Sequence, residues 1–207
     1  MRVLVACEFS QVVTKAFRER GHEAYSCDVL PTEGNPDWHI QDDVLAHLND
    51  GWDLMIAHPP CTYLSYVGNR HWDLPGRYKE RINAILFFMK FVEAPVEKWC
   101  IENPVGIMDR VYRPHDQLIH PYYFGDKALK KTCLWLKGLP KLEYSLENNM
   151  LFPRTAVDKP EPLYYLKTNG KPIHYTEAIK GGQKRSVFWE GIANAMAEQW
   201  GILSLGF

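Results

Sequence analysis

A short apolar run that ends in two prolines is the feature that most constrains the fold. Residues 54–57 (Leu-Met-Ile-Ala) are apolar at every position, which predicts a strand buried on both faces of a parallel sheet. Pro59 and Pro60 lack the N–H group that a ladder needs, so the strand must end before them. Cys61 then lies at the carboxyl end of a strand, the edge where open α/β sheets bind ligands. A thiol on a turn stiffened by prolines is a candidate nucleophile.

A second segment has the same design. Residues 99–104 read Trp-Cys-Ile-Glu-Asn-Pro, so that a short apolar run meets a carboxylate, an amide and a proline. If both strands lie in one parallel sheet, Cys61 and Glu102 emerge at the same edge. A thiolate beside a carboxylic acid that can protonate or hold a ring nitrogen suits attack on a pyrimidine.

Strand and helix patterns alternate along the chain, which predicts an α/β fold with a doubly wound, mostly parallel sheet. Strands are predicted at residues 2–6, 22–28, 54–57, 99–102 and 132–136, with a short strand or turn at 39–44. Helices are predicted at residues 10–20, 45–48, 81–93 and 191–200. We expect a single catalytic domain over residues 1–207, in which 63–80 form a loop over the site and 138–183 an irregular insertion.

Composition excludes several classes of protein. The hydrophobic fraction of 46% and the charged fraction of 24% are ordinary for a globular domain, and no apolar run reaches the roughly 20 residues of a membrane span. The first residues predict a strand and not a signal peptide. The five cysteines form no C-x-x-C pair, which favours reduced thiols in the cytoplasm over disulfides or a metal cluster. A net charge of −1 is low for a protein that holds duplex DNA by charge alone.

The order of these motifs resembles the DNA cytosine-5 methyltransferases, in a compact form like those that phages carry. In that family a Pro-Cys loop supplies the nucleophile, and a later Glu-Asn-Val motif holds the base. Residues 60–68 look like the first motif, and Glu102-Asn103-Pro104 looks like the second, with proline in place of valine. The resemblance implies a Rossmann-like fold that uses S-adenosylmethionine. The catalytic residues it implies are Cys61, Glu102, Asn103 and, as a stand-in for a basic segment of the family, Lys131.

The resemblance also implies where the cofactor binds. Asp28 corresponds to the acid that holds the cofactor ribose, and Asp43 to an aspartate against the adenine amino group. Residues 191–197 resemble the family's closing helix, which returns to the cofactor pocket. The cofactor-binding residues that follow from the resemblance are Cys7, Glu8, Phe9, Ser10, Asp28, Val29, Asp43, Val44, His58, Pro60, Ala193 and Asn194.

Two features depart from the family. Residues 6–11 contain no glycine, whereas glycines let a backbone adopt positive φ beside a cofactor. We expect Glu8 to contact the cofactor's amino group instead. Residues 138–183 are too few for the family's target-recognition domain, so we expect low sequence specificity or a substrate other than a long duplex.

The resemblance implies methyl transfer to C5 of cytosine, most readily in DNA. The Cys61 thiolate would add to C6, and a Glu102 whose strand-end setting raises its pKa would protonate N3. A base in a duplex would be flipped out, with residues 63–80 as lid or wedge. Two alternatives remain open: a relative that binds nucleic acid or cofactor without methylating, and a transferase that modifies pyrimidines in RNA or at the nucleotide level.

Each residue also has a structural interpretation. Cys61 alone could be a small buried hydrophobe, and Glu102 a partner in a salt bridge. Asp28 and Asp43 could be turn residues. His58 could pack or form a local hydrogen bond, since no third group of a catalytic triad is evident. Lys131 could lie on the surface.

Overall fold

A seven-stranded mixed sheet forms the centre of the protein. The computed structural model describes residues 1–71, 73–147, 155–174 and 188–202. The strands of the sheet are β1 (Arg2–Ala6), β2 (Glu23–Asp28), β3 (His39–Gln41), β4 (Leu54–Ala57), β5 (Trp99–Pro104), β6 (Gln117–Ile119) and β7 (Thr132–Lys137). Their order across the sheet is β3-β2-β1-β4-β5-β7-β6.

The first five strands in this order are parallel, and β7 runs antiparallel to both β5 and β6. The order reverses between β1 and β4, which is the switch point where doubly wound sheets bind ligands. The predicted α/β class with a mostly parallel sheet is therefore confirmed, and the topology is compatible with a Rossmann-like fold. Strand β6 escaped the sequence analysis because its three residues are too few to show a period.

Helices cover both faces of the sheet. They are α1 (Val12–Glu19), α2 (Arg77–Val92), α3 (Met108–Val111) and α4 (Glu190–Gly201). Val3 and Val5 of β1 belong to a core cluster with α1 and α4, whereas Leu4 and Ala6 belong to a second cluster with α2. Successive side chains of a strand point to opposite faces, so a sheet covered twice requires apolar residues at every position. Among the described residues, no helix combines the length and the apolar character that crossing a membrane requires.

Three segments differ from the predicted elements. Helix α2 begins at Arg77 and not at residue 81, because Gly76 at φ 79° turns the chain directly into the helix. Residues 66–71, predicted as loop, form a 3₁₀ helix (Tyr66–His71). The predicted insertion at 138–183 contains a small two-stranded sheet, β8 (Tyr164–Tyr165) with β9 (Pro172–Ile173). Residues 148–154 and 175–183 of that insertion lie outside the described part.

The loop after β1 adopts the backbone shape of a glycine loop without containing glycine. Cys7 and Gln11 both have φ of 59°, and they are the two non-glycine residues with positive φ in the described part of the chain. Side chains in this region cost about 1–2 kcal/mol per residue, so surrounding contacts must hold them there. Gln11 is fully buried and supplies such contacts: its side-chain oxygen accepts from Asn35 N at 2.7 Å, and its Nε2 donates to Asn35 O at 2.9 Å.

Glu8, expected to contact a cofactor, instead caps helix α1. Its Oε1 accepts from Val13 N at 2.7 Å, and its Oε2 accepts from Thr14 N at 3.2 Å and from Thr14 Oγ1 at 2.7 Å. The carboxylate is 4% exposed and lies at the positive end of the helix dipole. Both oxygens are thus used to satisfy the first turn of α1, which corrects the role expected from the sequence.

Replacing Glu8 by alanine tests this role. We expect Glu8→Ala to lower the free energy of unfolding by about 1–3 kcal/mol, because two N–H groups and a buried hydroxyl lose their acceptor. Urea denaturation measures the change, and Glu19→Ala in the last turn of the same helix is the control. Unchanged stability combined with lost ligand binding would return Glu8 to a cofactor site.

Candidate active site

Strands β4 and β5 bring the two sequence motifs to one edge. Ala57 pairs with Ile101 in the last step of the parallel register between β4 and β5, so His58 and Glu102 follow at the same level. His58 N donates to Ala6 O at 2.9 Å, which extends the β1–β4 ladder by one residue before Pro59 ends it. The edge where both motifs emerge therefore adjoins the switch point of the sheet.

His58 and Glu102 form a buried pair at this edge. His58 Nδ1 donates to Glu102 Oε2 at 3.3 Å, and the two side chains are 11% and 9% exposed. The His58 ring also contacts Phe188, with ring centroids 4.6 Å apart. Two buried atoms of the pair, His58 Nε2 and Glu102 Oε1, have no hydrogen-bond partner among the described residues. Because unsatisfied buried polar atoms are rare, they mark places where a ligand would find a partner.

The ionisation of Glu102 differs from the sequence expectation. Burial raises its pKa, but the hydrogen bond from His58 and the positive charges of Lys130 and His58 outweigh burial, so the pKa lies below its usual value. Glu102 is therefore a carboxylate in the ligand-free protein, and not the protonated acid predicted from its position. A protonated Glu102 requires a proton that arrives with a ligand or from a neighbour.

Asn103 joins the two motifs through the backbone. Its Nδ2 donates to Pro59 O at 2.7 Å and to Glu102 O at 3.1 Å, and the residue is 2% exposed. One amide thus fixes the turn that delivers Cys61 relative to the strand that carries Glu102. Asn103 Oδ1 is another buried atom for which the described residues offer no hydrogen-bond partner.

Cys61 is exposed on a turn that is tied to the segment after β5. Its carbonyl accepts from Leu64 N at 3.1 Å and from Ser65 N at 3.0 Å. Ile107 N donates to Leu64 O at 2.9 Å, and Ser65 forms an isolated antiparallel bridge with Gly106. The turn is held from the side of β5 as well as from β4, so the thiol is presented at a fixed place.

Two arginines at the start of α2 also hold the Cys61 turn. Arg77 Nη2 donates to Thr62 O at 2.9 Å, and its guanidinium lies 4.4 Å from the centre of the Tyr63 ring. Arg81 Nε donates to Tyr63 O at 2.9 Å. Neither residue was predicted as part of the site, because Arg77 was expected in the loop 63–80 and Arg81 only as the first residue of a helix.

Lys130, and not Lys131, is the basic residue that acts on Glu102. The charge of Lys130 lowers the pKa of Glu102, whereas Lys131 is exposed and acts on the pKa values of His120 and Cys133. Strand β7 enters the sheet at Thr132, opposite Pro104, so the two lysines precede it at the edge where β5 ends. Of the two lysines, Lys130 is therefore the one whose charge acts on Glu102, and the catalytic role expected for Lys131 stays a prediction.

Asp28, the last residue of β2, and Asp43, two residues after β3, both act on Cys7, which directly follows β1. Burial and the negative charges of Asp28 and Asp43 raise the pKa of the Cys7 thiol, so that it keeps its proton. Asp28 Oδ1 accepts from Leu30 N at 2.9 Å, and Asp43 Oδ1 from Leu45 N at 3.0 Å. Each carboxylate thus has one oxygen in a turn, as the structural interpretation expects. We call Cys7, Asp28 and Asp43 together the acidic corner.

The other residues predicted to bind the cofactor range from exposed to buried. Val29 follows Asp28 with 68% of its surface exposed, whereas Phe9 and Val44 are buried in the fold. Ser10 is half-buried and Pro60 is exposed. His58, expected at the cofactor, contacts Glu102 instead.

The predicted pair Ala193 and Asn194 does not join the acidic corner. Ala193 is buried in the cluster between α1 and α4, and Asn194 is exposed and accepts from Arg20 at 3.3 Å. The residue of this region that reaches the site is Phe188, just before α4, through its contact with His58. The sequence feature that could have identified Phe188 is an aromatic residue just before the helix that contains Gly191.

A separate group combines three potential metal ligands. Ligand atoms of Asp109, His115 and Cys133 all lie within 4.8 Å of one another. His115 Nδ1 donates to Asp109 Oδ1 at 2.8 Å, and burial, followed by the charges of Asp109 and Glu102, raises the pKa of Cys133 to about 12. A neutral thiol beside a hydrogen-bonded Asp–His pair accounts for these contacts.

No protein-family model matches this sequence, and no curated protein matches it significantly. The geometry of the site is therefore the ground for any functional conclusion.

The tie between the Cys61 turn and the segment after β5 can be tested at Gly106. A Cβ at this position would overlap Leu64 O and lie 3.0 Å from Ser65 Cα, both of them backbone atoms. We expect Gly106→Ala to cost about 1–3 kcal/mol of stability and to speed hydrogen exchange at Ile107 and Leu64. Gly170→Ala is the control, because φ of 66° strains it while nothing lies near its Cβ. Exchange rates that match the control would refute the tie.

The ionisation of Glu102 predicts a dependence of stability on pH. A carboxyl whose folded pKa lies below its unfolded value stabilises the fold above the unfolded pKa, and this stability is lost as pH falls through the folded pKa. As the pH falls from about 5 to about 3, the free energy of unfolding of the wild type should therefore decrease more than that of Glu102→Gln. Urea denaturation at each pH measures both values. A shift in favour of the wild type would mean that burial dominates and Glu102 is protonated.

Proposed function

We propose that this protein is an S-adenosylmethionine-dependent methyltransferase that modifies C5 of cytosine in nucleic acid, most readily DNA, through a covalent bond to Cys61. The observation that carries the proposal is the pairing of β4 with β5, which delivers an exposed thiol and a buried carboxylate to one edge. Asn103 links the two motifs directly. A thiol for C6 and a carboxyl for N3 are the two groups that substitution at C5 requires.

Cys61 supplies the covalent step. The C5 carbon of cytosine is a weak nucleophile, because the ring is electron-poor. When the Cys61 thiolate forms a bond from Sγ to C6, the electron pair of the C5–C6 double bond moves toward C5 and the ring becomes an enamine. The turn that presents Cys61 is fixed by Arg77, Arg81 and the segment after β5, which limits the motion lost on reaction.

Glu102 and His58 handle the proton that N3 requires. Negative charge spreads toward N3 as the thiolate adds, and a proton there neutralises it. Since Glu102 is ionised before the base enters, it must take up this proton from water as the base binds, while the hydrogen bond from His58 at 3.3 Å holds Oε2. Glu102 Oε1, which is buried and has no partner among the described residues, is the atom that would carry the proton to N3. A base or water then takes the C5 proton, and the electron pair of that C–H bond re-forms the C5–C6 double bond as the bond from Sγ to C6 breaks and frees Cys61.

The acidic corner is the place we propose for the cofactor. Its carboxylates suit ribose hydroxyls and a positively charged ligand, and the exposed Val29 beside Asp28 suits the face of a flat ring. Cys7 adds a backbone in the left-handed region at the end of β1, a shape that allows close approach to a ligand. S-adenosylmethionine, when bound, supplies the methyl group that C5 takes up.

A second candidate is favoured by the ionised state of Glu102. A carboxylate can only accept hydrogen bonds, so it matches a ring whose N3 carries hydrogen, as in uracil, without any proton transfer. A pyrimidine transferase acting on uracil in RNA or in a nucleotide would use the same Cys61 addition at C6. The two candidates give different products, 5-methylcytosine and 5-methyluracil.

Nucleoside mass spectrometry of DNA and RNA from cells that express the protein tests the proposal. We expect a 5-methylcytosine peak that disappears with Cys61→Ala, because the thiol is needed for the covalent step. Glu102→Gln should reduce the peak through a rate loss of about 10²–10⁴-fold.

Circular dichroism of both variants controls for folding. A 5-methylcytosine peak retained in Cys61→Ala would remove the covalent mechanism. An increase of 5-methyluridine in RNA that depends on Cys61 would favour the second candidate. The absence of both changes, with wild-type protein folded and abundant, would refute methylation of polymers.

A further inference from the structure

Charge is unevenly distributed between the two sides of the site. Residues 28–53 contain seven Asp and Glu and no Lys or Arg, and they include the acidic corner. Residues 61–90, which form the Cys61 turn and most of α2, contain five basic residues (Arg70, Arg77, Lys79, Arg81 and Lys90) against two acidic ones (Asp73 and Glu80). In a chain of net charge −1, the segment that contains the candidate nucleophile therefore carries a net charge of +3, from five basic and two acidic residues.

The same basic segment exposes large apolar and aromatic side chains. On α2, Tyr78, Ile82 and Leu86 are four residues apart and form one stripe, with 67%, 38% and 58% of their surfaces exposed. Before the helix, Tyr66 and Val67 are 40% and 72% exposed. An apolar surface of this kind, interleaved with cations, marks an interaction site.

This surface is continuous with the Cys61 turn. Arg77 and Arg81, which bind the carbonyls of Thr62 and Tyr63, lie one residue before Tyr78 and one residue before Ile82. Tyr66 N donates to Val105 O at 3.4 Å, in the segment that follows Glu102 and Asn103. The stripe therefore lies on the same helix as the two arginines that hold the Cys61 turn, on the helix face next to theirs. We call the side chains of Tyr66, Val67, Tyr78, Ile82 and Leu86, together with Lys79, the α2 surface.

We propose that the α2 surface binds single-stranded nucleic acid, and that the substrate is presented to Cys61 as an unpaired strand. This inference rests on the proposed function. Flat rings such as Tyr66 and Tyr78 stack on the faces of unpaired bases, which a duplex hides, and the cation of the exposed Lys79 beside Tyr78 matches a phosphate. A strand without a partner also needs no second lobe to hold a duplex open during base flipping.

Charge decides between this occupant and a protein partner. A second copy of the chain would bring another cationic α2 surface against the first, and like charges oppose that pairing. The acidic residues at 28–53 repel phosphates from the other side of the site, so a polyanion is steered toward α2. The two segments thus favour the same placement of a nucleic-acid strand.

Fluorescence anisotropy with a labelled DNA strand of about 15 nucleotides, and with the same strand annealed to its complement, tests the proposal. We expect the wild type to bind the single strand at least about tenfold more tightly than the duplex. Tyr66→Leu and Tyr78→Leu should each weaken binding of the single strand by roughly fivefold or more, because leucine keeps apolar bulk but cannot stack. Lys79→Gln should lower the slope of log affinity against log salt by about 0.7, the loss of one phosphate contact.

Tyr165→Leu is the matched control, because Tyr165 is 61% exposed in the separate β8–β9 sheet, and Lys15→Gln on α1 is the control for charge. Duplex bound as tightly as the single strand, or α2 variants that bind like these controls, would overturn the proposal. A concentration-dependent dimer that Tyr78→Leu abolishes would also overturn it and assign the surface to a second copy. Because binding is measured without turnover, strand binding without any methylated nucleoside would refute the proposed function, and with it the presentation to Cys61, while the α2 surface would still be a binding site for single strands.

Discussion

Parallel pairing of β4 with β5 is the constraint on which the rest of the site depends. The pairing sets His58 level with Glu102, and the prolines after β4 turn the chain so that Cys61 follows immediately. A shift of this register by one residue would reverse which face each side chain occupies, because strand side chains alternate. The apolar side chains of both strands are buried on the two faces of the sheet, and that burial opposes such a shift. The geometry of the polar site thus follows from the packing of apolar residues that take no part in it.

The sequence predicted the elements that carry strong periodic or terminating signals. The buried strands, their parallel arrangement and the meeting of two motifs at one edge follow from apolar runs that end in Pro59 and Pro104. Strand β6 was not predictable, since it has three residues and forms only by pairing with a distant strand. The start of α2 was not predictable to the residue, since it depends on the backbone conformation of Gly76. Contacts between residues far apart in the sequence were also not predictable. Phe188, for example, contacts His58 although 130 positions separate the two residues.

Charge states were the least predictable part of the site. The position of Glu102 at a buried strand end suggested a raised pKa, and burial does act in that direction. The opposing effect comes from His58 and Lys130, which meet Glu102 only after β4, β5 and β7 have paired. Glu8 shows the same limit, because a sequence identifies a carboxylate near the switch point but not the helix turn that uses both of its oxygens.

The side chain of Gln11 holds two loops at once. Its amide is bonded to both backbone groups of Asn35 and to Ser26, so the loop after β1 and the loop after β2 share one anchor. Moving either loop away would break hydrogen bonds that also hold the other, so loss of the Gln11 amide would loosen both loops. The left-handed backbone of Cys7 and Gln11 after β1 therefore depends on contacts with a residue more than twenty positions further along the chain.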